Sequence, residues 1–232
     1  MLQGKMKAIA FSYDDGVTQD QRLIAMLNHY GMKGTFNLNS GLMGTAGALV
    51  NGGVTVAQVR PRACEISRIY RGHEVAAHTL THPRLTELPD EEVIRQVEED
   101  RLMLSDLVGC EVKGMAYPCG GVNYDQRVVR LLREHTGIRY ARTTLSTHSF
   151  DLPEDPYCFH ATVRQHREWP EMECLAREFL AVPATKPMLL TIWGHAYEFD
   201  VRDEWDAFDR FLASIAGQED VCYCTLSEAL GV

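Results

Sequence analysis

Phe11-Ser12-Tyr13-Asp14-Asp15-Gly16 is the stretch on which fold and chemistry both turn. It closes an apolar run, Met6 to Phe11, that reads as a buried strand. Two carboxylates then stand side by side with a glycine behind them. Adjacent aspartates oppose each other's ionisation in a dry site unless a cation neutralises one. Asp-Gly is also the commonest hairpin-turn dipeptide, so the stretch gains meaning only from partners elsewhere. The first partner is His78-Thr79-Leu80-Thr81-His82-Pro83, a histidine pair at i and i+4 behind a second strand pattern, Glu74 to Ala77.

Outward from these two points the chain alternates. Gln19 to Tyr30 has helical spacing of apolar residues, and Gly31 stops it. Gly34 to Leu38 is a short strand. Asn39 to Gly53, rich in Gly, Ser, Thr and Asn, reads as a long loop, and Val56 to Arg71 as a helix broken near Pro61. A helix runs from Pro89-Asp90 through Val108, with an acidic first turn that suits the helix dipole. Val112 to Tyr117, Ile138 to Thr143, Cys158 to Val163, Met188 to Trp193 and Val221 to Thr225 read as strands. Tyr124 to His135, Met172 to Val182 and Trp205 to Ala216 read as helices.

Strand-helix alternation favours parallel strands joined by right-handed crossovers. The expected fold class is α/β, a distorted or partly open (β/α) barrel of parallel strands with outer helices. With no linker or internal repeat, residues 1–232 are expected to form one catalytic domain. In such barrels the site lies at the carboxyl ends of the strands. Asp14, Asp15, His78, His82, Cys119, Arg142 and His195 all fall at or just after such ends.

Composition excludes several functions. Hydrophobic content of 45% and charged content of 24% fit a globular domain, and 232 residues can bury a large core. A net charge of −9 argues against nucleic acid or an anionic membrane as partner. Seven scattered cysteines form no disulfide framework and no paired zinc signature, and Cys222 and Cys224 read as two same-face positions on a strand. Reduced thiols and the absence of an apolar targeting segment give a cytoplasmic expectation.

The chemistry follows from donor types. One carboxylate and two neutral imidazoles give three ligands and leave open positions for water and substrate. Asp15, His78 and His82 supply that set, the two histidines brought to one face by a helical turn. A divalent ion so held polarises a carbonyl and acidifies water. Asp14 is then free to take a proton, and His195, from a distant strand, to give one to the leaving group.

These stretches resemble a family. Asp14-Asp15-Gly16, His78-Thr79-Leu80-Thr81-His82-Pro83 and Tyr117-Pro118-Cys119-Gly120 look like the ordered motifs of NodB-like polysaccharide deacetylases, and Trp193-Gly194-His195 like the late histidine motif. The resemblance implies a distorted (β/α) barrel and one divalent metal ion, often zinc, with cobalt, nickel or manganese as alternatives. It implies Asp14 as base, His195 as acid and Asp15, His78 and His82 as ligands. It implies that the backbone N–H of Cys119 holds the oxyanion, beside Tyr117 and Trp193 as substrate-side residues. The implied partner is an acetylated carbohydrate or small amide.

The sequence also departs from the family. Met115-Ala116-Tyr117 lacks the arginine that braces the base in many members, and Arg142 on the next strand is the candidate replacement. Cys119 stands where tyrosine is frequent. No clear acidic-tryptophan motif precedes Pro170, and Glu168-Trp169 is a loose candidate. Glu198 and its neighbours after His195 read as a substrate rim, His160 and His166 as ordinary polar positions, and Arg164 and Arg167 as a solvated face. Two rivals follow: a catalytically impaired carbohydrate-binding module of the same fold, and a non-haem iron oxygenase, which uses the same ligand types. A cyclic-amide hydrolase is a variant of the leading reading.

Overall fold

The computed structural model describes residues 4–232. Its centre is strand β1 (Lys7–Asp14), all eight residues of which are buried. A strand covered on both faces needs apolar or small residues at every position, and the sequence alternates them by size. Ala8 and Ala10 point into the barrel with Tyr140, Phe159, Leu189, Cys222 and Cys224. Ile9, Phe11 and Tyr13 join the larger core between sheet and helices. Ser12 and Asp14 continue the inward row, so the interior turns polar towards the carboxyl end.

Ten more strands follow: β2 (Gly34–Leu38), β3 (Ala46–Asn51), β4 (Val54–Val59), β5 (Glu74–Ala77), β6 (Gly114–Ala116), β7 (Tyr140–Ser146), β8 (Phe159–Ala161), β9 (Val163–Arg164), β10 (Met188–His195) and β11 (Val221–Tyr223). Except for β3 and β4 they form one parallel sheet in the order β8-β7-β6-β5-β2-β1-β10-β9, with β11 beside β1. β11 pairs with Lys7–Ile9 of β1, and β2 with Phe11–Asp14. The ends of this order, β8 and β9, are consecutive pieces of one segment. The ladder breaks between them at Thr162, whose N–H donates to the Thr191 carbonyl (3.0 Å) and whose hydroxyl accepts from the Thr191 N–H (3.0 Å). The sheet is therefore a partly open barrel with a one-residue seam, in keeping with the expected class.

Helices α1 (Asp20–His29), α2 (Ala63–Ile69), α3 (Asp90–Val108), α4 (Gln126–His135), α5 (Trp169–Ala181), α6 (Glu198–Arg202), α7 (Trp205–Ile215) and α8 (Leu226–Leu230) complete the chain. α3 carries Asp90, Glu91 and Glu92 in its first turn and ends on Gly109 in the left-handed conformation. None of the described helices is long and apolar enough to cross a membrane.

Two expectations fail here. Asn39–Gly53 is not a continuous loop, and Val56 to Arg71 is not one broken helix. Residues 46–59 form an antiparallel hairpin, β3 with β4, and α2 begins only at Ala63. Its turn, Asn51-Gly52-Gly53, has both glycines at positive φ, a hairpin signal between Leu49-Val50 and Val54-Thr55-Val56. Val54-Thr55-Val56 is β-branched throughout, which favours a strand over the helix reading.

Candidate active site

Register places the reacting groups on one row. Asp14 on β1 lies opposite Asn37 on β2 and His195 on β10, so all three project from one face of three adjacent strands. Arg142 projects from within β7, two residues past its start, rather than after its end. Its fully buried guanidinium donates to both carboxylate oxygens of Asp14 (2.5 Å to Oδ2) and to Ser12 Oγ (3.1 Å). Asn37 Nδ2 adds a donor to Asp14 Oδ1 (2.8 Å) and also reaches Ser12 Oγ (2.9 Å). Burial alone would raise the Asp14 pKa. The charge of Arg142, with that of His195 and the Arg142 hydrogen bond, outweighs burial and lowers it.

Asp15 turns the other way. It sits at φ 78°, in the left-handed region, and Gly16 follows at φ 58° with Leu38 where a Cβ would stand. The reversal separates two adjacent carboxylates. Asp15 Oδ1 lies 3.7 Å from His78 Nε2 and 3.6 Å from His82 Nε2, and one donor atom from each of the three falls within 4.8 Å of the others. His78 Nδ1 donates to the Ala116 carbonyl (2.8 Å), which fixes the tautomer and leaves Nε2 as a lone pair facing Asp15. Burial pushes the His78 pKa down to about 4, so the ring is neutral. Asp15 is buried with no lysine or arginine among its side-chain partners, only Gln58 Nε2 at 3.5 Å and the two histidines. One oriented, neutral imidazole and a second imidazole beside such a carboxylate fit a divalent cation.

The two histidines are not on a helical turn. Residues 78–83 form an irregular loop with Thr79 and His82 at φ 67° and 62°. Thr79 Oγ1 accepts from the His82 N–H (3.1 Å) and closes the loop. Asp100 of α3, not singled out from sequence, accepts from the His78 N–H (3.0 Å) and from the Ser40 N–H (2.7 Å) and hydroxyl (2.5 Å). Burial lifts its pKa to about 7 against those hydrogen bonds. Gly41 permits the close pass of residues 40–42, since a Cβ there would meet the Leu80 carbonyl oxygen at 2.7 Å.

Tyr117 and Cys119 follow β6. The Tyr117 hydroxyl donates to the Tyr157 carbonyl (2.9 Å) and its N–H to the Arg142 carbonyl (2.9 Å), so both donors are spent on structure. Cys119, at φ 66°, borders the pocket next to His82, with Sγ 3.8 Å from His82 Nδ1. Burial raises the Cys119 pKa, which argues against a thiolate nucleophile. The Cys119 N–H takes no partner among the described residues. Arg84 Nη1 donates to the Gly120 carbonyl (2.5 Å) and pins this turn.

His195 ends β10. Its Nδ1 donates to Glu198 Oε2 (3.0 Å), the first turn of α6 having folded back beneath it. Burial would lower the imidazole pKa, but the Glu198 hydrogen bond and the Asp15, Glu198 and Asp14 charges raise it instead. Burial opposes ionisation of Glu198 too, yet His195, His166 and Arg164 hold it at about 2. Glu198 and Phe199 are thus buried supports rather than an exposed rim. Glu168 is occupied elsewhere, accepting from Ser146 Oγ (2.6 Å) and His148 Nε2 (2.8 Å). The spacing of Glu198, three residues past His195, was the signal available for it. His166 is buried and bonded to Glu204 (2.7 Å), while His160 bonds Thr143 (2.6 Å) outside the pocket. The Arg142 and Arg164 guanidiniums lie 4.5 and 4.7 Å from the Trp193 ring centroid.

Asp14, Asp15, His78, His82, Cys119 and His195 line one pocket of about 440 Å³, with Tyr117 and Trp193 in its wall. A larger cavity, about 550 Å³, lies at the opposite end near His73 and Glu228 and contains none of these groups. The profile of the polysaccharide deacetylase family matches residues 2–141. The chain belongs to the polysaccharide deacetylase family. No curated protein matches it. Solved structures repeat the fold. The peptidoglycan deacetylase PdaC from Bacillus subtilis is 19% identical, covers 97% of this chain and 90% of its own, and has a TM-score of 0.55. A deacetylase-family domain of a multidomain xylanase from the hindgut metagenome of Trinervitermes trinervoides gives 18%, 97%, 90% and 0.60. A family pseudoenzyme from Bacillus anthracis gives 16%, 97%, 66% and 0.59. In this deacetylase-family chain the matched profile reaches Cys119 but stops short of Arg142, Trp193 and His195, which the fold brings to the same pocket.

Proposed function

We propose that the chain is a metal-dependent hydrolase that removes an acetyl group from an N- or O-acetylated sugar or a related small amide. The observation that carries this reading is the juxtaposition, in one pocket, of a three-donor set with a separately braced carboxylate and a separately braced imidazole. Asp15, His78 and His82 would hold one divalent ion, zinc being the best match to two imidazoles and a carboxylate. Bound there, the ion would polarise the acetyl carbonyl and acidify the attacking water.

The chain's own groups supply the remaining work. Asp14, anionic because Arg142 and Asn37 hold it so, accepts the proton of the attacking water. The Cys119 N–H donates to the developing oxyanion. His195, kept protonated by Glu198, gives its proton to the departing amine or alkoxide. Asp14 and His195 sit on neighbouring strands, so base and acid flank one position.

The support for an impaired binding module was the missing arginine in the third motif, and Arg142 fills that place against Asp14. An iron oxygenase needs neither the Asp14–Arg142 pair nor the His195–Glu198 pair. The test is acetate release from acetylated glycans by protein stripped with a chelator and reloaded with zinc. Release that requires the metal is expected. Oxygen consumption with iron and a 2-oxo acid, without acetate, would reverse the assignment.

A further inference from the structure

The pocket wall beside His195 has hydrogen-bond donors and a positive charge without acceptors. Arg167 lines the pocket, is exposed, and makes no ion pair or hydrogen bond among the described residues. Arg164, also in the wall, gives one Nη2 bond to Glu198 (2.9 Å), while its buried Nε–H has no partner. The indole N–H of Trp193, a residue only 1% exposed, is likewise unpartnered. The Arg164 guanidinium lies 4.7 Å from the Trp193 ring centroid, and both residues line the pocket with Arg167; their two unpartnered N–H groups are enclosed, so Arg167 is the exposed donor.

The charges around the pocket otherwise cancel in pairs. Asp14 is matched by Arg142, and Glu198 by Arg164 and His195. Asp15 is committed to the histidine pair. Arg167 is left over. The chain carries 32 acidic and 23 basic residues, and Arg167 is the arginine without a carboxylate in the pocket that holds Asp14, Asp15 and His195. The overall negative field repels anions, so a local guanidinium is needed to hold one, acting within a Debye length of roughly 8–10 Å. A guanidinium presents paired donors matched to an oxyanion.

We infer that the substrate carries an oxyanionic group, a carboxylate or a sulfate, next to its acetyl group, and that Arg167, in the pocket wall with Arg164 and Trp193, receives that group. The inference rests on the deacetylase reading and narrows its substrate class.

Three sugars test it: N-acetylglucosamine, N-acetylmuramic acid, which adds a lactyl carboxylate, and N-acetylglucosamine 6-sulfate. Zinc-loaded wild type is expected to release acetate from at least one anionic sugar with kcat/KM about tenfold above the neutral one, since a charged hydrogen bond supplies that much. The anionic sugar that is preferred identifies carboxylate or sulfate. Arg167→Gln is expected to bring the anionic sugar down to the neutral level through KM, and Arg167→Lys to recover part of the difference. Equal kcat/KM for charged and neutral sugars, or an equal loss for both in Arg167→Gln, overturns the inference and leaves deacetylation standing. Should none of the three release acetate, the deacetylase reading loses these sugars, and titration calorimetry decides the pocket separately. Preferential binding of an anionic sugar that Arg167→Gln abolishes sustains the inference; binding without preference, or none, overturns it.

Discussion

The two ends of the barrel handle their hydrogen-bonded carboxylates in opposite ways. At the carboxyl end, Asp14 and Glu198 are met by charged partners, Arg142, Arg164 and His195. Three of the pocket's residues, Asp15, His82 and Cys119, and Thr79 in the loop between the two histidines, hold left-handed backbone without being glycine. At the amino end, Glu74 is met by neutral or backbone donors: Thr35 Oγ1 (2.8 Å), the Tyr140 hydroxyl (2.9 Å), the Ser227 N–H (3.1 Å) and the Ser227 hydroxyl. No left-handed non-glycine accompanies it among these partners. The lower network ties α8 to β2, β5 and β7 and is satisfied as it stands. The upper one keeps charge and strained backbone in place, which a fold tolerates where chemistry requires it.

Removing Asp14 should separate the ends most sharply. Asp14→Asn is expected to cut kcat by about 10²–10⁴-fold, the range for a general base, while zinc content measured by atomic absorption persists. Its thermal stability should fall as well, because the Arg142 guanidinium is left buried without a counter-charge. Arg142→Met leaves the complementary charge, Asp14, and should cost roughly 3–5 kcal/mol in urea unfolding. It should also raise the Asp14 pKa, moving the acid limb of kcat/KM to higher pH.

Glu198→Gln tests the other brace. In the proposed mechanism His195 acts while protonated, so activity should disappear as pH rises through its pKa. Glu198 raises that pKa, and its loss leaves burial dominant. The alkaline limb of the pH–rate profile should therefore move to lower pH, with little change in metal affinity; an unmoved limb would remove His195 as the acid. At the lower end, Glu74→Gln replaces one accepting oxygen with a donor facing hydroxyls. It should cost about 1–3 kcal/mol of stability and leave kcat/KM unaltered. If Glu74→Gln instead impaired turnover as much as Glu198→Gln, the division between a working end and a structural end would fail.

The same division governs what the sequence reveals. Strands of the parallel sheet were legible because burial on both faces demands unbroken apolar runs, as in Met188 to Trp193. The donor set Asp15, His78 and His82 was legible because its residue types are unusual at strand ends. The helical turn proposed for His78 and His82 was wrong because spacing of four does not distinguish a helix from a loop closed by Thr79. Asn37 and Asp100 were missed because their importance lies in what they face across strands or helices, and Glu198 was read as a substrate rim rather than as the partner of His195. Asp14 meets Asn37 only through the β1–β2 register, and Asp100 meets His78 over a separation of 22 residues. The hairpin at 46–59 was missed although Asn51-Gly52 announced it, since its strands AGALVN and VTVAQV form a mostly exposed ribbon with no continuous buried face to impose the regular alternation that marks a strand.

Asp100 gives the outer shell a hand on the inner one. A single carboxylate on a long peripheral helix grips both the start of the histidine loop and the segment after β2. Substitutions that rotate or slide that helix would therefore re-aim His78 without touching it, leaving the histidine loop open to adjustment from the solvent side of the molecule.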